Sequence, residues 1–183
     1  MMTYTELHIA TFTTTRFSTQ VPGTFADAVQ AFEQEVPALS VPELLAVLAR
    51  HHSWDDVLAW TAQHAPWGFL VYWRNEVGPV MSVAGDAAQC ISYLMGNHTI
   101  AETMFRHDAR VMNYAPLRVE ITQEPNGPVL FTTEVPSSQF ASFEQPDITD
   151  VGNLLDGKLA KLLQRLGAQL PETLQRHLEP QRS

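Results

Sequence analysis

The chain has 183 residues, 45% hydrophobic and 17% charged, which is ordinary for a single globular domain and too apolar for a disordered one. Its 20 acidic and 11 basic residues leave a net charge of -9, and both lysines, Lys158 and Lys161, sit near the C-terminus, so no basic stripe exists to displace counterions from nucleic acid or to hold an anionic membrane. One cysteine, Cys90, and the lack of a basic segment leading into an apolar run at the N-terminus suggest a cytoplasmic protein without disulfides.

Taken in chain order, Tyr4 to Phe17 is rich in Thr, Phe and Ile and predicts a long first strand, broken by Pro22-Gly23. Thr24 and Asp27 form a capping-box pattern ahead of Phe25, Ala28, Val29 and Phe32 at helical spacing. That helix should end by Val36, because Pro37 disfavours helix in the residue before it. Ser40-Pro42 opens a helix through Leu44, Leu45, Val47 and Leu48. Ser53 caps another through Val57, Leu58 and Trp60, with Asp55 and Asp56 at its positive end. The two predict a helical hairpin over about 37–66.

Beyond Gly68 the period shortens. Phe69 to Arg74 and Val80 to Ala84 predict strands, separated by a turn at Asn75 to Gly78. Ala88 to Met95 also reads as strand: its Ala and Leu would suit a helix, but Cys90, Ile91 and Tyr93 lead into Gly96-Asn97, a strand end and helix cap. Asn97 then starts a helix with Ile100, Ala101, Met104 and Phe105 inward and a Glu102–Arg106 pair outward. Val111 to Thr122 alternates as a strand, Pro125-Asn126-Gly127-Pro128 predicts a hairpin turn, and Val129 to Val135 is the returning strand. A loop through Phe140 and Phe143 leads to a last helix from near Asp147. Its stripe is Ile148, Val151, Leu155, Leu159, Leu162 and Leu166, with Gly152 and Gly157 weakening its first half. Strands joined by short turns, with helices between them, predict an α+β fold: two layers, a mostly antiparallel sheet with helices on one face, in one domain over 1–183.

The stretch Tyr93-Leu-Met-Gly-Asn-His-Thr-Ile-Ala-Glu-Thr-Met104 resembles the core signature of the bacterial family called domain of unknown function 302, a strand running into Gly-Asn and a helix with a Thr-Met step. Ala115-Pro116-Leu117-Arg118 and the Pro125–Pro128 turn extend the likeness over about Ala88 to Leu166. His98 stands where the family has Pro, and the hairpin over about 37–66 looks like an insertion. The resemblance implies a two-layer α+β fold and a homodimer, and it implies no activity.

Phosphate-cradling glycine loops, a Gly-x-Ser-x-Gly elbow and a His-Glu-x-x-His helix are all absent from the sequence, and Cys90 reads as a small apolar strand residue. His51-His52 reads as a solvated helix junction. His98 and Glu102, four apart, would need two further ligands to hold a metal, so no metal site is assigned, and no cofactor either.

The denser signal is aromatic: Trp54, Trp60, Trp67 and Trp73 fall within twenty residues, joined by Phe69 and Tyr72. Such rings either pack the hairpin onto the sheet or line a small-molecule pocket. If Leu117, Val119 and Ile121 face the helices, Tyr114, Arg118 and Glu120 face away. By the same alternation Tyr72 and Arg74 oppose Val71 and Trp73, and Glu6 and His8 oppose Leu7 and Ile9. That polar face is solvated, a dimer interface, or a pocket covered by the hairpin.

Three functional expectations follow. The first is a homodimer binding a small, partly aromatic or acidic ligand between the Trp-rich hairpin and the sheet, with Trp67 and Tyr72 as walls, Arg118 as anion partner and His64 or His98 at the rim. The second is an enzyme with His64 or His98 as general base beside Glu102 or Glu134. The third is a ligand-free assembly module.

Overall fold

The computed structural model describes residues 9–51 and 53–177, the side chain of His51 excepted. Five strands, β1 (Arg16–Val21), β2 (Leu70–Glu76), β3 (Gln89–Gly96), β4 (Leu117–Gln123) and β5 (Val129–Glu134), form one sheet in the order β1-β5-β4-β3-β2, antiparallel throughout. The helices are α1 (Phe25–Glu35), α2 (Val41–His51), α3 (Trp54–His64), α4 (Gly78–Ser82), α5 (His98–Phe105), α6 (Pro136–Phe140), α7 (Pro146–Arg165) and α8 (Glu172–Gln175). The α+β class follows directly.

Local chemistry sets the helix starts. The Thr24 hydroxyl accepts from the Asp27 amide while the Asp27 carboxylate accepts from Thr24, a complete capping box. Ser53 caps α3 and Asn97 caps α5. Strand alternation sets the main core: Ile91, Tyr93 and Met95 of β3, Leu117, Val119 and Ile121 of β4, and Val129 and Phe131 of β5 are buried against Phe32 of α1 and against Ile148, Leu155, Leu159 and Leu162 of α7. Gly152 is required where α6 crosses α7, because a Cβ there would lie 3.0 Å from the Ser137 Cα. The amino end of α6 is capped from across the crossing: the Ser137 amide donates to Asp156 Oδ1 at 2.9 Å.

A second, smaller core lies under the helical hairpin. Trp60, Ala65 and Leu70 are buried there, with Leu39, Leu44, Val47 and Tyr72 packed around them. The hairpin therefore does seat an indole against the sheet edge at β2.

Several expectations change. Of the predicted first strand, residues 1–8 lie outside the described residues, 9–15 take no regular structure, and pairing with β5 starts at Arg16. The predicted strand Val80–Ala84 is instead the end of α4, to Ser82, and the turn that follows it, with Pro79 in the helix's first turn. The predicted turn at Asn75–Gly78 is the end of β2 followed by that helix. Val111 is buried in a short 3-10 helix, Ala109–Asn113, so β4 begins only at Leu117. The loop after Pro136 starts with α6. Phe105, expected to face inward, is 50% exposed. His52, like Glu6 and His8, lies outside the described residues.

The face assignment of β2 also changes, for an identifiable reason. The β2–β3 register shifts between Val71 and Trp73, so Arg74 comes to lie opposite Tyr93. There the Arg74 Nε and the Tyr93 hydroxyl both donate to Glu33 Oε1 of α1, at 2.7 and 2.8 Å. Arg74 thus faces the helix layer rather than sharing a face with Tyr72. Tyr114 also leaves the polar face. It packs edge-on to Phe12, Phe140 and Phe143.

Candidate functional site

At the end of the sheet, where β3 runs into α5 and β4 begins, a cavity of about 260 Å³ opens. Its apolar walls include Phe69, Ile100, Ala101, Met104, Phe140 and Leu155, and Pro116 follows a cis peptide bond at its β4 side. Tyr72 and His98 supply the polar end. Gly96 makes room between them: a Cβ there would meet the Pro116 Cβ at 3.3 Å and the Tyr72 ring at 3.6 Å.

The Tyr72 hydroxyl lies 2.7 Å from His98 Nδ1, and the two rings pack 4.9 Å apart. The His98 backbone also hydrogen-bonds the phenol oxygen, which leaves the phenol proton to donate to Nδ1. With the phenol as donor, the neutral imidazole carries its proton on Nε2, which makes no hydrogen bond among the described residues. Burial pushes the Tyr72 phenol up and the His98 imidazole below its ordinary value, so both are neutral at neutral pH. Asn97, which also lines the cavity, has its oxygen and one of its two amide protons engaged. Its Oδ1 accepts from the Thr99 and Ile100 amides and its Nδ2 donates to the Gly68 carbonyl.

His98 also borders a second hollow, about 360 Å³, formed by Leu44, Leu48, Ser53, Trp54 and Val57 of the hairpin. Of the five residues singled out from the sequence, only Tyr72 and His98 are brought together. His64 stays within the hairpin, stacked on Trp60 at 4.2 Å, its Nδ1 on the Trp60 carbonyl and its Nε2 3.4 Å from Glu43. Trp67 lies under the Arg165 guanidinium, 3.9 Å from its ring centre, and Arg165 in turn pairs with Glu35. Arg118 is exposed on the opposite side of β4 from Leu117, and so outside the cavity that Leu117 lines. Glu102 pairs with Arg106, and Glu134 lies opposite Arg16 in the sheet, so neither carboxylate accompanies His98.

No group of three or more His, Cys, Asp or Glu side chains among the described residues is arranged to hold a metal ion. None of the described helices is long and apolar enough to cross a membrane.

Phe69 belongs to the aromatic cluster that the sequence offered as packing or pocket, whereas nothing in the sequence pointed to Met112, Ala115, Phe140 and Leu155 as walls of a site. Ile100, Ala101 and Met104 read from the sequence only as the inner face of a helix.

The histidine's environment carries a pH prediction. Its imidazole is held below the ordinary 6.5, so as pH falls below that value the unfolded chain takes up a proton before the folded one does. His98 should therefore cost the fold stability progressively below about pH 6.5 and none well above it. Urea midpoints for wild type and His98→Gln should converge at about pH 8 and diverge towards about pH 5, with the variant losing less. Parallel pH profiles would contradict this. The Asp156 carboxyl, raised by burial, acts with opposite sign and in a lower window, disfavouring the fold as pH rises from its ordinary 3.8.

Against known families, the model described as "Domain of unknown function DUF302" matches residues 51–166. The chain belongs to this family. The DUF302 match takes in α3 as well as every strand from β2 to β5, while α2 lies almost wholly ahead of it. A solved structure with the same architecture is the uncharacterized conserved protein DUF302 from Bacillus stearothermophilus, 15% identical, with a TM-score of 0.60 over 82% of this chain and 97% of that one. At that identity the likeness concerns the fold. No curated protein matches the chain. The DUF302 signature read from the sequence thus falls on the residues that build the cavity's rim, Gly96, Asn97 and His98.

Proposed function

We propose that this protein binds a small, mainly apolar molecule in the cavity at the end of β3, with His98 Nε2 anchoring the molecule's polar group. The observation that carries this reading is an apolar cavity of about 260 Å³ with a neutral, hydrogen-bonded Tyr72–His98 pair at one end. Small-molecule sites have this composition, apolar walls with a few placed polar groups. An apolar cavity of ~150 Å³ already holds benzene, so this one accommodates a larger body. The Trp-rich hairpin contributes through its second hollow on the other side of His98, where Trp54 is the contributing indole.

The general-base reading lacks support from the geometry, since Glu102 is paired with Arg106 and Glu134 lies on β5 opposite Arg16, two strands from β3, the strand that leads into His98. The homodimer implied by the family resemblance enters the same proposal. Sedimentation equilibrium tests it, and a monomer mass at working concentration removes it.

Ala101 lines the cavity from α5, and Ala101→Phe fills it without touching the Tyr72–His98 bond. Apolar probes such as indole and phenol should titrate the wild-type His98 ring resonances saturably, and Ala101→Phe should weaken them at least about tenfold while preserving stability within about 1 kcal/mol. Equal affinity in both proteins would show that the probes bind elsewhere.

A further inference from the structure

Resting on that reading, we infer that the ligand is an uncharged molecule with its polar group in mid-chain: one apolar arm in the cavity at the end of β3, the other between α2 and α3, and a carbonyl or similar acceptor on His98 Nε2. Three features of the two hollows lead there. First, His98 borders both, the inner one with Met104 and Leu155 and the outer one with Leu44, Leu48, Trp54 and Val57. A molecule held by His98 therefore has apolar wall available on two sides of its anchor.

Second, no Asp, Glu, Lys or Arg among the described residues lines either hollow. A carboxylate or ammonium group placed there would lose its hydration without gaining a partner, at a cost larger than apolar contact returns. Arg74 is committed to Glu33 and Glu76, Arg106 to Glu102 and Arg165 to Glu35, and Lys158, whose ammonium lies against Gly68, lines neither hollow. The neutral state of Tyr72 and His98 agrees with this, since neither brings a counter-charge.

Third, the hydrogen-bonding inventory leaves an uncommitted donor, the Nε2 proton, on His98, the residue that borders both hollows. His98 Nδ1 is taken by Tyr72, while Asn97, with its oxygen on the α5 cap and one of its two amide protons on Gly68, lines the inner cavity and not the outer hollow. Ser53, whose oxygen accepts from the Asp55 amide and whose hydroxyl proton is not committed among the described residues, lines the outer hollow and not the inner cavity. A single N–H at the junction selects a single acceptor on the ligand, at the point where its two arms meet.

Three nine-carbon probes test this without any variant: dibutyl ketone, with a central carbonyl and two equal arms; its isomer methyl heptyl ketone, with one long arm; and nonanoate, with a charged end. Nitrogen NMR of the His98 ring and the indole signal of Trp54 read the binding of each to the full chain. Dibutyl ketone should shift both signals saturably and bind at least about tenfold tighter than either of the other two, since moving the carbonyl strands about three buried methylenes on the wrong side of His98. Equal affinity of the two ketones would overturn the two-armed arrangement. Tighter binding of nonanoate would overturn the uncharged ligand. A His98 shift without a Trp54 shift would confine the molecule to the inner cavity and likewise overturn the inference, while leaving the proposed site standing. No saturable response from ketones, indole or phenol would remove the site itself.

Discussion

Replacing Asn97 by alanine should lower the unfolding free energy by about 2 kcal/mol and abolish ligand capture at His98 in the same step. The size follows from what the amide does. Its Oδ1 accepts from the Thr99 amide at 2.8 Å and from the Thr99 hydroxyl at 2.7 Å, satisfying the first turn of α5. Losing such a cap costs ~1 kcal/mol. Its Nδ2 donates to the Gly68 carbonyl at 3.1 Å, tying the turn before β2 to the start of α5. Leaving that half-buried carbonyl without its donor adds ~1 kcal/mol. His98 is the first residue of α5, so fraying of the turn moves the imidazole away from Tyr72. Asn97→Asp restores the cap but not the donor, and should recover about half the lost stability. Urea denaturation with the His98 ring resonance as a second probe checks both effects. An alanine variant within about 0.5 kcal/mol of wild type would contradict the argument.

Phe32→Ala should be the more damaging substitution, costing about 3–5 kcal/mol. Phe32 is 0% exposed, with its ring 4.7 Å from Tyr93 and 6.0 Å from Phe131, so it joins α1 to β3 and β5 at the centre of the main core. Small domains have only ~5–15 kcal/mol in all, so thermal unfolding of this variant should begin well below that of the wild type. Trp54→Ala is the contrasting control. It removes a larger ring, but one 42% exposed on the hairpin, and should cost less than about 1 kcal/mol. Comparable losses from both would mean that the hairpin and the main core are one cooperative unit with energy spread evenly between them.

Three elements of the site show where sequence reasoning reaches and where it stops. The helix starts at Thr24, Ser53 and Asn97 were legible because a cap is an interaction within four residues of chain, and the hydroxyl or amide there competes with nothing distant. The Pro125–Pro128 turn was legible for the same reason, with Asn126 taking the positive φ such a turn needs. Val80–Ala84 was misread because Val and Met in a short run suit a strand as well as a helix. Here Val80, Met81 and Val83 remain exposed and pair with no strand, so Pro79 and the local backbone decided the outcome.

By itself the sequence determined the α+β class, the caps, the antiparallel succession of β3, β4 and β5, the apolar stripe of α7 and the DUF302 signature, all of which depend on neighbours along the chain or on its period. Only the tertiary structure decided which candidates meet. Tyr72 and His98 are 26 residues apart, and their bond needs the β2–β3 register with its shift at Val71–Trp73, together with a helix that starts at the strand's end. The same register sent Arg74 to Glu33, and strand alternation kept Arg118 away from the cavity. A one-residue shift reverses every side chain beyond it, so strand position alone carries no information about which long-range pair will form.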